Sequence, residues 1–103
     1  MVADDESSWT EEEYASYLEA ERHLYAWALQ RYGEFSEAAA LSEAEARYPY
    51  EPSSAEFRGH IFHWTSWFLA MEKIHGEFFY VDHPDLEEES DEFRDEAARV
   101  FRR

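Results

Sequence analysis

Four side chains carry a spacing that suits chemistry. Glu56, His60 and His63 stand at i, i+4 and i+7, which on a helix gathers a carboxylate and two imidazoles within about 60° of arc. Such a face lets them converge on one divalent cation, and Glu21 from an earlier helix supplies a fourth ligand. Helical bundles do build metal centres from inward carboxylates and Glu-x-x-His pairs. Here neither inward helix carries Glu-x-x-His, so the pattern is incomplete. The competing reading is structural and is preferred: His60 is an imidazole at the core edge, hydrogen-bonded to Glu21 or to a backbone carbonyl. On either reading Glu21 and His60 are expected to face each other. Both are polar residues on apolar faces, and an unpartnered buried polar group costs about 1–3 kcal/mol.

Other chemistry is thinner. There is no cysteine, hence no thiolate metal site, thiol nucleophile or disulfide framework. The three glycines lie at or near helix ends rather than in a phosphate loop, and the serines fall at cap positions rather than in a nucleophile elbow. Glu87-Glu88-Glu89 lacks the spacing and glycine turn of a calcium loop. No catalytic residue is assigned, and a divalent metal is the one cofactor the residues allow.

The element that must position Glu56, His60 and His63 is the aromatic stretch from Ser53 to Gly76. Ser53 with Glu56 is a capping-box start, and Gly76 is a helix stop. At helical spacing Phe57, Ile61, Trp64, Trp67, Phe68, Met71 and Ile74 share one arc, with Phe62 and Leu69 on a second face. A helix apolar on two faces is expected at the centre of a bundle. Glu21 belongs to an earlier helix that Thr10 and Glu13 open, with Trp9 able to staple the first turn. Gly33 ends it. Tyr14, Tyr17, Leu18, Leu24, Tyr25, Ala28, Leu29 and Tyr32 form its inward stripe, with Trp27 and His23 on the other side.

Ser36 caps a shorter alanine-rich helix that Pro49 stops, and YPYEPSS is a turn. EFFYV at 77–81 suits a short extended segment. The last helix starts near Pro84 or at Ser90 and turns Leu86, Phe93, Ala97 and Val100 inward. Arg99, Arg102 and Arg103 lie at its end, where the helix dipole favours cations. The expectation is all-α: a compact bundle of about four helices, two long, one short and one C-terminal. Residues 1–9 read as an acidic flexible tail and 10–103 as a single helical domain.

Charge narrows the function. The formal net charge is −16, from 25 acidic and 9 basic residues, which argues against nucleic acid and anionic membrane surfaces as partners. No apolar run is long enough to span a bilayer, and the N-terminus lacks a signal core, so a cytoplasmic protein is expected. Acids concentrate at 1–13 and at 82–96. The second patch gives an outward ridge of Glu87, Glu88, Asp91, Glu92 and Asp95. A non-catalytic module of the inhibitor, immunity, antitoxin or polyanion-mimic class, binding a basic protein surface, is therefore expected. A metal- or small-ligand-binding bundle centred on Glu21, Glu56, His60 and His63 is the alternative. Aromatic content of 18% raises a third reading, a homodimer through Trp27, Tyr48 and Tyr50.

Overall fold

The computed structural model describes residues 10–56 and 58–101. The expected acidic tail, the Trp9 staple, Phe57, Arg102 and Arg103 lie outside the described residues. Within them the chain is all-α, with five helices and no strand.

Helix α1, Glu11–Tyr32, begins where the sequence says it should. Thr10 Oγ1 accepts from the Glu13 N–H at 2.9 Å, and Glu13 Oε1 accepts from the Thr10 N–H at 3.1 Å. This reciprocal cap satisfies two donors at the helix start. Its stripe is buried as expected at Tyr14, Leu18, Leu24, Tyr25, Ala28 and Leu29, while Tyr17 and Tyr32 are half-buried. Ala20, Glu21 and Ala26 are buried too, because neighbours cover α1 on several sides. It is α1, rather than the 53–76 stretch, that forms the axis of the bundle.

Helix α2, Glu37–Arg47, is capped by Ser36, whose Oγ accepts from the Ala39 N–H at 3.1 Å. It docks on α1 through Ala40 and Ala44, both buried, and leaves Leu41 exposed. Small side chains let the two backbones approach closely, so the large apolar residue is not what holds this helix.

The continuous helix expected over 54–75 is broken. A turn at Pro52–Ala55, closed by the Ala55 N–H to the Pro52 carbonyl, leads to a 3₁₀ turn at His60–His63; helix α3 then spans Ser66–His75. Two local features outcompete the apolar period. Gly59 adopts φ 85°, a left-handed conformation open to glycine, and donates its N–H to Glu51 Oε1 at 2.9 Å. Thr65 then caps α3 by accepting from the Phe68 N–H at 3.1 Å.

The segment expected to be extended at 77–81 instead coils into a one-turn helix α4, Phe79–Asp82, followed by a 3₁₀ turn at Pro84–Glu87. Helix α5, Asp91–Phe101, starts after Ser90, whose Oγ accepts from the Phe93 N–H at 3.1 Å. α1 packs against α2, α3 and α5. The core joins Tyr14, Leu24 and Leu29 of α1 to Tyr48, to Trp67 and Met71 of α3, to Phe79 and to Phe93 of α5.

Gly33 matters for approach rather than for φ, which is extended at −123°. A Cβ added there would meet Ile74 Cγ1 at 2.7 Å and the Leu29 carbonyl oxygen at 3.1 Å. Gly33→Ala is therefore expected to destabilise the fold by about 1–2 kcal/mol, measured by urea unfolding. A neutral or stabilising result would mean that Ile74 yields freely.

Candidate functional site

Glu21 is buried at 7% exposure, and the polar groups that act on its carboxylate are Tyr17 and Ser66. Tyr17 lies one turn earlier on α1, and Ser66 opens α3. His60 lies instead on the exposed 3₁₀ turn, its ring parallel to that of His63 with centroids 6.3 Å apart. Glu56 is exposed on the preceding turn. The break at Gly59 removes the shared helical face on which the expected quartet depended. Glu21, Glu56, His60 and His63 are thus not gathered as a metal centre, and among the described residues no three His, Asp or Glu side chains are grouped to hold an ion.

What surrounds Glu21 is a buried polar cluster. Burial pushes its carboxyl above the ordinary glutamate value, despite the opposing hydrogen bonds from Tyr17 and Ser66. Burial, with the nearby Glu21 charge, pushes the Tyr17 phenol up to about 12. Tyr48 is driven up for the same two reasons, and its hydroxyl and Glu21 Oε1 have no hydrogen-bond partner among the described residues. Enclosed in this way, the group bears on the stability of the fold.

The 50–59 segment is tied to the start of α1. Arg58 pairs with Glu11 and lies over the Tyr14 ring, 3.8 Å from its centroid. Tyr50 donates to Glu11 Oε2 at 2.6 Å, and Tyr14 Oη accepts from the Glu51 N–H at 2.8 Å. Hydrogen bonds from Tyr50 and Arg58 hold the Glu11 carboxyl below its usual value.

These placements revise the expected dimer face. Tyr48 is fully buried, edge-on to Tyr25 and stacked with Phe62, so it cannot meet a second chain. Trp27 is half-buried, with Tyr32 at 6.1 Å and Phe93 of α5 at 6.0 Å. The C-terminal helix covers it, because α5 packs on the flank of α1 that carries His23, Trp27 and Arg31. Tyr50 alone of the three remains exposed.

The acidic ridge is only partly free. Glu92 is engaged by Arg31 in a two-pronged ion pair and by Tyr32, which lowers its pKa, chiefly through the Arg31 hydrogen bond. Glu96 is held by Arg99 and by His23 Nε2, the latter at 2.6 Å. These bonds use one side of α5 to clamp it on α1. Glu88, Glu89 and Asp91 share the single Arg94 at 3.9, 3.9 and 3.5 Å. Glu87 and Asp95 are exposed and have no ion-pair partner among the described residues.

Sequence reasoning missed two features. Trp64 and Trp67 fall on one arc of an unbroken helix, yet Trp64 is 49% exposed and Trp67 is buried; the Thr65 cap between them is the local signal for the difference. Phe78 adopts φ 61° and stands exposed, for which no residue-type signal exists.

Among the described residues no helix is long and apolar enough to cross a membrane. Comparison with known protein families, curated proteins and solved structures finds no match.

Proposed function

We propose that this chain is a non-catalytic, cytoplasmic interaction module whose acidic surface binds a basic face on a protein partner, as inhibitors, immunity proteins, antitoxins and polyanion mimics do. The observation that carries this reading is the charge imbalance of the C-terminal third. Asp82, Asp85, Glu87 and Asp95 are exposed with no ion-pair partner among the described residues, and three further carboxylates share Arg94 at 3.5–3.9 Å. Exposed pairs of that kind add little to stability. Their value lies in the field they present, which speeds encounter with a cationic surface.

Neutralising the free ridge tests this. The quadruple variant Glu87→Gln, Glu88→Gln, Asp91→Asn and Asp95→Asn is compared with a control carrying Gln at exposed Glu19, Glu34, Glu37 and Glu45. Association with a labelled nona-lysine peptide is followed by stopped flow at low and moderate salt. The ridge variant is expected to associate about tenfold more slowly at low salt and with a flatter salt dependence, whereas the control changes less. Equal rates for ridge variant and parent, both folded, would reduce the acidity to a solubility device.

A further inference from the structure

Beside α3 lies an aromatic surface that is rooted in the core through Phe68 and Tyr80 and opens to solvent at Trp64 and Phe78. Trp64 stacks on Phe68 with centroids 5.2 Å apart and planes at 23°, and Phe68 continues onto Tyr80 at 6.4 Å and 29°. Phe78 stands edge-on to Tyr80 at 6.1 Å and is 61% exposed. Its backbone is left-handed, at φ 61°. A bulky side chain is a genuine outlier there, and such strain gathers at ligand clamps and other functional positions.

Carboxylates flank this stack on both sides. Trp64 and Phe68 line a cleft of about 510 Å³ whose far wall is Glu87, Glu88 and Glu89, with Arg94 beside them. The same two rings line a smaller cleft of about 270 Å³ with Phe78, Tyr80, Glu72 and Glu77. Arg47 is the cation of that second cleft. It sits near Glu43 and Glu72, all three close enough to Tyr25 to act on its hydroxyl. Glu77, exposed beside Phe78, has no ion-pair partner among the described residues.

We infer that the Trp64–Phe68 stack is the anchor for arginine side chains of a basic protein segment, with guanidinium planes lying on the rings and pairing with Glu87–Glu89 on one flank and Glu77 on the other. The inference rests on the acidic-module reading above and names its point of attachment. Arginine fits better than lysine because its flat, delocalised cation stacks on aromatic faces and forks onto a carboxylate, whereas an ammonium is a compact and strongly hydrated point charge. A second copy of this chain is the less suitable occupant, since it brings another −16 of charge to an already acidic rim.

Labelled nona-arginine and nona-lysine peptides, equal in charge, separate the two levels of the argument. Fluorescence anisotropy at moderate salt is expected to give about tenfold tighter binding of nona-arginine. Trp64→Ser and Phe78→Gly should each bring that preference close to unity, and Leu41→Ser, a loss of exposed apolar surface on α2, should leave it unchanged. Thermal unfolding confirms that each variant is folded, and Glu77→Gln, at an exposed position, supplies a test that leaves the rings intact by lowering the arginine preference severalfold. Equal affinity for the two peptides, unaffected by Trp64→Ser, would overturn the anchor while leaving the acidic module standing. Binding of neither peptide would overturn both. Sedimentation showing a dimer that Trp64→Ser dissolves would assign the surface to self-association and overturn the arginine anchor.

Discussion

Trp67→Ala is expected to lower stability by about 3–5 kcal/mol, the range for deleting a buried aromatic ring. The position is 2% exposed and touches both α1 and α5. Its ring meets Tyr32 of α1 at 5.2 Å and Phe93 of α5 at 5.3 Å. Its Nε1–H donates to the Leu86 carbonyl at 2.8 Å, pinning the 3₁₀ turn that precedes α5. Alanine would leave a cavity where three helices meet and an unsatisfied carbonyl beside it. Trp67→Phe keeps most of the packing but not the donor, and should lose about 1–3 kcal/mol. Urea unfolding followed by circular dichroism reads both. An alanine variant within 1 kcal/mol of the parent would show that α5 is held mainly by its ion pairs with α1.

Glu21→Gln is expected to stabilise the protein at neutral pH by about 1–3 kcal/mol. Burial raises the folded-state pKa of Glu21, so the folded chain holds this proton to higher pH than the unfolded chain does. By linkage the native state is favoured most below the ordinary carboxyl value of 4.5, and loses stability as pH rises from there through the folded-state value. Glutamine keeps an acceptor for Tyr17 and Ser66 and carries no charge to desolvate. The gain should therefore vanish in acid. Glu11, Glu92 and Glu96 act in the opposite sense, since their pKa values are lowered and their contribution is lost as pH falls. Parent and variant share those three, so the difference between their pH profiles isolates Glu21. A glutamine variant less stable than the parent at neutral pH would mean that the surrounding hydroxyls favour the ionised carboxylate.

The starts of α1, α2 and α5 were legible because each cap is written within four residues: Thr10 with Glu13, Ser36 ahead of the alanines, Ser90 ahead of α5; that of α3 was not, since the Ser53–Glu56 capping box falls on a turn and Thr65 is the cap. The inward stripe of α1 was legible for a similar reason, as periodicity reports a face directly. The break at Gly59 was not. It depends on Glu51 reaching eight residues along the chain to take the Gly59 N–H, while the apolar period of 57–74 runs on as if nothing intervened. That single misreading carried the metal quartet with it, because Glu56, His60 and His63 share a face only on an unbroken helix. Glu21 was correctly marked as a polar residue in an apolar stripe, whereas the influence of Tyr17 and Ser66 on it was not foreseen. Tyr48 looked available for an interface because its place just before Pro49 suggests a loop. Only the packing of α2 on α1 reveals that it is core.

The clamp between α1 and α5 also has a bearing on the order of assembly. α1 and α2 are joined by a short connection and make mostly local contacts, which close quickly. The His23–Glu96 and Arg31–Glu92 bonds instead link residues 73 and 61 positions apart, and loop closure over that length comes late. α5 is thus expected to dock late during folding, which pulse-labelled hydrogen exchange would read. It is also expected to open first in partial unfolding, since only Phe93 among its side chains is fully buried. The free acidic ridge therefore rides on a helix that buries only Phe93 fully, so local opening there is expected to leave the α1–α2–α3 core in place.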